Sequence, residues 1–249
     1  MEIAIYVVAA LIGIMAVVSV VTSIVLMVKY IRFNRKENSA GLTAEQTARK
    51  ILDDNGLRDI KVKSVGSLLF GNSYSHYFKK VRIRRFTRRK TSVTALAMGS
   101  EKAALAVLDK EGDPDMKARV RLTPFMYLGP VAFIPLLAIG IVVDVLLLNT
   151  QGVATLIAAG LSVLIYLISF VLCIFTLKTE KKAQARAMEI LRESKMATDE
   201  ELEDMGELFK LYNIQYINDI ILAMLELILR VLQIANSFSG SSSSSGSNK

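Results

Sequence analysis

Residues Ile3–Val28 read IAIYVVAALIGIMAVVSVVTSIVLMV, 26 residues without a charged side chain. A helix needs about 20 apolar residues to cross the hydrocarbon core of a bilayer, so this stretch alone points to a membrane protein. Met1-Glu2 ahead of it carries no Lys or Arg, and the run is too long for the core of a signal peptide, so it reads as an anchor. Two further runs follow. Leu122–Leu148 contains Asp144 as its one charge, and Gly152–Phe175 contains none. With 52% hydrophobic residues among 249 and no Trp, the chain is too apolar for one ordinary soluble domain.

Basic residues set the expected orientation. Lys29, Arg32, Arg35 and Lys36 follow the first run, Asn149-Thr150-Gln151 between the second and third has none, and Lys178, Lys181, Lys182 and Arg186 follow the third. The positive-inside rule then puts the N-terminus outside and both Lys29–Arg121 and the chain from Lys178 onwards in the cytoplasm. The segment Lys29–Arg121 holds 22 of the 31 Lys and Arg against 10 acids, so the excess positive charge of the chain is concentrated there.

Local signals divide the rest. Thr43-Ala44-Glu45-Gln46 forms a capping box, and the helix it opens should stop at Asn55-Gly56. Ile60–Val65 and Lys80–Arg84 alternate like strands. Met98–Gly112, MGSEKAALAVLDKEG, is a plain helix with Gly99-Ser100 as a possible start and Gly112 as its stop; the wider helical pattern runs Thr91–Lys110. Helix, strand, strand and helix make a small α+β unit whose core is too thin to stand alone, so it should lean on the membrane or on later helices. Lys178–Lys210 reads as a charged helical hairpin, its second arm capped by Thr198-Asp199-Glu200-Glu201. Ile214–Ile234 is apolar, but Gln215, Asp219, Glu226, Arg230 and Gln233 fall on one helical stripe, and Glu226 and Arg230 can pair. A fourth span with its stripe turned inward and an amphipathic surface helix both remain open. The Ser-rich end should be disordered.

The fold class expected is therefore a mostly α integral membrane protein of the cell membrane, multi-pass, with about four transmembrane helices and a small cytoplasmic α+β unit. Its parts are an anchor (1–36), a basic cytoplasmic unit (37–121), a transmembrane hairpin (122–176), a charged hairpin (177–211), a fourth transmembrane or amphipathic helix (212–236) and a disordered tail (237–249).

Lys79–Lys90, KKVRIRRFTRRK, has eight basic residues in twelve: Lys79, Lys80, Arg82, Arg84, Arg85, Arg88, Arg89 and Lys90. Beside a membrane these meet anionic lipid headgroups, each contributing about 1 kcal/mol of attraction. A protein partner is the second reading. Nucleic acid is disfavoured, because Phe86 is the one aromatic in the run that could stack on a base.

The words along the chain are also familiar. GLTAEQTARKILDDNGL (Gly41–Leu57) followed by IKVKSV, His76-Tyr77, VRI at Val81–Ile83 and RAMEILRESKMATDEELEDM (Arg186–Met205) stand in an order and spacing that resembles the bacterial membrane-anchored neutral zinc metallopeptidase family. The resemblance spans roughly residues 40–235. It implies a zincin-like unit with H-E-x-x-H on the helix after the VRI strand: two His four apart bind one zinc, the Glu between them activates the bound water, and a later E-x-x-A supplies a third ligand. Ungapped counting from Val81, and back from Glu111-Gly112, sets that motif on Glu101-Lys102-Ala103-Ala104-Leu105, and E-x-x-A on Glu180–Ala183.

By this register Glu101 replaces the first His, Lys102 the general base and Leu105 the second His, while Glu180 keeps its place. The chain has one His, His76, and one Cys, Cys173 in an apolar run, so a replacement metal site lacks ligands. No metal, cofactor or catalytic residue is assigned. Glu180 can be an ordinary hairpin charge, or Glu101, Lys102 and Glu180 can form a cluster in which the ammonium stands in for the metal's charge. Three functions follow: a pseudoprotease that binds a membrane polypeptide, an active paralogue or a second copy of itself; a hydrolase with a non-standard site near Ser92, Ser100 and Lys102; or a structural protein of the membrane surface.

Overall fold

The computed structural model describes residues 2–66, 71–126, 128–148 and 152–243. In chain order the elements are α1 (Glu2–Arg35), α2 (Ala44–Asp54), β1 (Lys61–Val65), β2 (Ser73–Ser75), β3 (Lys80–Arg84), α3 (Arg85–Arg88), α4 (Val93–Glu111), α5 (Pro114–Met126), α6 (Leu128–Val142), a π-helical turn (Val143–Leu148), α7 (Val153–Glu193) and α8 (Asp199–Ser243). The chain divides into two compact units. An α+β unit comprises Thr22–Arg121 and Phe175–Gln215; a helical unit comprises Met1–Val21, Leu122–Ile174 and Tyr216–Lys249.

In the α+β unit the capping box forms as the sequence suggests. Gln46 N donates to Thr43 Oγ1 at 3.2 Å and Thr43 N donates to Gln46 Oε1 at 2.9 Å. α2 closes at Asn55, followed by Gly56 in the left-handed region. The sheet order is β1-β3-β2, with β1 parallel to β3 in the register Lys61↔Lys80 to Val65↔Arg84, and β2 antiparallel to it. A parallel pair needs a crossover of about a dozen residues, which the segment 66–79 provides. The sequence reading lacks β2, because three residues carry too little alternation to recognise. Val81 and Ile83 on β3 are fully buried. The basic run is therefore not one solvated patch: its central strand feeds the core from one face.

The start of α4 differs from the reading at Gly99-Ser100. Ser92 is the N-cap, its Oγ accepting from Ala95 N at 3.1 Å, and Gly112 in the left-handed region ends the helix. Gly99 lies inside α4, where a Cβ would fall 2.4 Å from the carbonyl oxygen of Ala44. This glycine is a close-packing residue between α4 and α2, not the start of the helix. Every residue of α4 from Val93 to Leu108 is buried. The core around it joins Ile51, Leu52, Val81 and Ile83 to Leu191, Met205 and Leu208 from α7 and α8. The thin core thus leans on the later helices.

The expected charged hairpin turns at 194–198. Thr198 and Glu201 cap each other, with Glu201 N donating to Thr198 Oγ1 at 3.3 Å and Thr198 N donating to Glu201 Oε2 at 2.8 Å. Its arms are not separate helices, however: α7 and α8 each continue unbroken into an apolar segment. α8 runs on to Ser243, past Ser237 where the disordered tail was expected to begin.

Of the four expected spans, α1 and α7 are long and apolar enough to cross a membrane. The second apolar run is shared among the end of α5, α6 and the π turn. The stretch Ile214–Ile234 carries Asp219, Glu226 and Arg230 within α8. In the helical unit, Asp144 caps α7: it accepts from Ala154 N at 3.0 Å, from Thr155 N at 2.7 Å and from the Thr155 hydroxyl. A Cβ on Gly140 would lie 2.7 Å from that of Ala158, so α6 and α7 meet through small residues. The Asn149–Gln151 turn lies outside the described residues.

Candidate functional site: a buried ion-pair network on α4

Two adjacent residues of α4 carry charge into the core of the α+β unit. Glu101 is 5% exposed and Lys102 8%. Lys102 Nζ stands 3.0 Å from Glu101 Oε2 and 2.8 Å from Glu180 Oε2 on α7. The closeness of Lys102 and Glu180, 78 residues apart in sequence, is what the proposed cluster requires.

The network extends beyond these three. Arg119 on α5 donates to Glu180 Oε1 at 2.6 Å and to Thr179 Oγ1 at 3.1 Å. Gln184, one turn after Glu180, donates to Glu101 Oε1 at 2.9 Å, and Asn213 on α8 donates to Gln184 Oε1 at 2.8 Å. Two carboxylates face two cations. Burying such charges is costly unless they are paired and their remaining lone pairs satisfied, and these hydrogen bonds meet that condition. Burial pushes the Glu180 carboxyl up, but Lys102 and Arg119 outweigh it and hold the group at about 2. Burial presses Lys102 towards the neutral amine, and the two carboxylates more than reverse it, so its pKa is raised. For Glu101 burial dominates over the attraction of Lys102 and raises the pKa.

Leu105 is not part of this network. It packs with Ala104, Leu108, Met116, Ala183 and Ala187 in a separate apolar cluster. His76 is engaged elsewhere: its Nδ1 lies 2.6 Å from Asp109 Oδ2, which also accepts from the Tyr74 hydroxyl at 2.6 Å. The two serines near Lys102 serve the helix backbone. Ser92 caps α4, and the fully buried Ser100 hydroxyl donates to Ala97 O at 3.1 Å. Arg119, Gln184 and Asn213 had no sequence signal of their own; Gln184 could have been suggested by its i+4 spacing from Glu180.

A profile described as "Putative neutral zinc metallopeptidase" matches residues 7–236 of the chain. The chain belongs to that family. It is also similar to a Bacillus subtilis (strain 168) protein named "Putative membrane protease YugP", at 24% identity over 206 residues, covering 82% of this chain and 86% of that one. No solved structure matches. Membership, together with two long apolar helices, associates the chain with a membrane.

The family name implies zinc, and the donor set here does not fit it. A metal between Glu101 and Glu180 would meet the Lys102 ammonium, which carries three hydrogens and no lone pair. Leu105 contributes no donor, and among the described residues no three His, Cys, Asp or Glu side chains converge on a point where an ion could bind. Zinc usually takes four N, S or O ligands, and this site offers two carboxylates already neutralised by cations.

The eight basic residues of the run are dispersed by the fold. Lys79 pairs with Asp59 at 2.8 Å, Lys80 lies over the Phe78 ring, and Arg88 pairs with Glu45. Arg82 is half-buried on β3, while Arg84, Arg85, Arg89 and Lys90 are exposed.

Proposed function

We propose that this chain is a non-catalytic member of the zinc metallopeptidase family: a multi-pass membrane protein that keeps the peptidase scaffold and binds a polypeptide without cleaving it. The observation that supports this reading is the Lys102 ammonium between Glu101 and Glu180. By the register of the resemblance these are a lost ligand, a lost general base and a kept ligand. Lys102 and Arg119 together bring the two positive charges that a divalent metal would bring, so Glu180 is held ionised and the helices stay docked with no hydrolytic centre. The polypeptide is a membrane protein or an active relative, a second copy of this chain being the other candidate. In the membrane the N-terminus faces outward and the basic α+β unit faces the cytoplasm.

The test restores the motif. The purified wild-type protein should hold no stoichiometric zinc by elemental analysis, whereas the folded triple variant Glu101→His, Lys102→Glu, Leu105→His should take up about one zinc per chain, lost again on Glu180→Ala. Zinc in the wild type that is lost on Glu180→Ala would overturn the reading. Crosslinking in native membranes should capture a polypeptide partner that is recovered uncleaved; its cleavage by the purified wild type would equally overturn it.

A further inference from the structure

Ser64 at the end of β1, Arg85 and Arg88 of α3, and Arg89 at its C-cap line a cavity of about 430 Å³ in the α+β unit. We propose that this cavity is a binding site for a phosphate group. Its volume falls in the range of small-molecule sites. Its chemistry is unusual for a protein surface. Three arginines line one space, and none of the described residues lining it is an acid.

Like charges that line one cavity repel one another, so the arrangement calls for a counter-charge. Glu45 supplies one, on Arg88. Arg85 and Arg89 make no ion pair with any described residue. Two positive charges thus remain, which matches a phosphomonoester, carrying about −1.5 to −2 near neutral pH. Arg88 also has a buried Nε–H with no hydrogen-bond partner among the described residues, although Glu45 holds the other end of its guanidinium. Planar guanidinium forks suit phosphate geometry in a way that a point-like ammonium does not, and Ser64 adds a hydroxyl donor.

The backbone is shaped for this cluster as well. Gly66 follows β1, and a Cβ there would lie 3.3 Å from Cζ of Arg85. A side chain at this position would crowd the guanidinium. Between Arg85 and Thr87, Phe86 is 78% exposed. An exposed aromatic flanked by arginines suits the headgroup layer of a bilayer, so the phosphate can be that of a lipid headgroup as well as a soluble one.

The experiment uses the full-length protein in detergent micelles and isothermal titration calorimetry with two probes, inorganic phosphate and short-chain phosphatidic acid. The wild type should bind phosphatidic acid. The variant Arg85→Gln/Arg89→Gln should lose about tenfold or more in affinity, and Lys79→Gln/Lys90→Gln, which removes the same charge from the same run, should lose less than about twofold. Binding of both probes assigns the pocket to phosphate of either source; binding of the lipid alone assigns it to headgroups. Absence of binding, or equal losses in the two double variants, would overturn the proposal by reducing it to diffuse charge. Circular dichroism of each variant separates loss of binding from loss of fold, and Gly66→Val, which fills space beside Arg85, should weaken binding without altering charge.

Discussion

α1 and α4 are both helices rich in apolar residues, and both contain a glycine in mid-course, yet they use these features in opposite ways. α1 presents Ile3, Tyr6, Ile14, Val17 and Val20 outward, with Phe33 its one buried residue among those described. α4 is buried from Val93 to Leu108. On α1 the exposed apolar side chains suit lipid, which asks little of shape; on α4 they meet protein, which must match them to within a methyl group. The difference teaches that apolar composition selects an environment, while burial by protein selects partners. α4 can accordingly carry Glu101 and Lys102 in its buried stretch, because α7 supplies their partners Glu180 and Gln184, which Arg119 on α5 and Asn213 on α8 bond in turn.

The largest break in this comparison should come at Lys102. Lys102→Met leaves Glu101 without its cation, while Glu180 keeps Arg119, and should cost about 3–5 kcal/mol of stability by denaturant titration. Adding Glu101→Gln to that variant should recover part of the loss, since the stranded charge is then gone. Strict additivity of the two single changes would show that the residues are not coupled. A smaller break is expected at Gly99. Gly99→Ala sets a Cβ against the Ala44 carbonyl and should cost about 1–3 kcal/mol, read as a lowered melting temperature.

Acid should open the same network from the other side. Glu180 is held at about 2, below its usual value of 4.5, so its stabilising contribution is present above about pH 4.5 and is lost as pH falls towards 2. Stability measured across that window should fall in the wild type and fall less steeply in Glu180→Gln. The smallest effect sharpens the contrast with α1. A Cβ on Gly13 would meet nothing within 4 Å, so Gly13→Ala should leave stability within about 0.5 kcal/mol of the wild type. A loss as large as that of Gly99→Ala would mean that α1 is packed by protein at that point.

Features that depend on a few neighbouring residues were legible in the sequence. Both capping boxes, at Thr43 and Thr198, form between residues three apart, and Gly112 ends α4 where it was expected to. Legibility failed where the same residue type serves a distant contact. Gly99 reads as a possible helix start and is a packing point against α2. Asp144 reads as a stray charge in an apolar run and is the cap of α7. β2 is too short to show alternation, and β3 looks like a basic patch because only its other face is core.

The sequence by itself determined the membrane character, the family, the basic character of the α+β unit and the absence of a second histidine. These follow from composition and order, which need no knowledge of neighbours in space. Only the tertiary structure decided that Lys102 meets Glu101 and Glu180 together, that Arg119 completes the charge balance, that Leu105 belongs to an apolar cluster and that three arginines share one cavity with Ser64. Pairings across 61 and 78 residues leave no periodic trace in the chain, because they are set by how helices dock. A buried charge is tolerated only where that docking brings its partner within hydrogen-bonding distance.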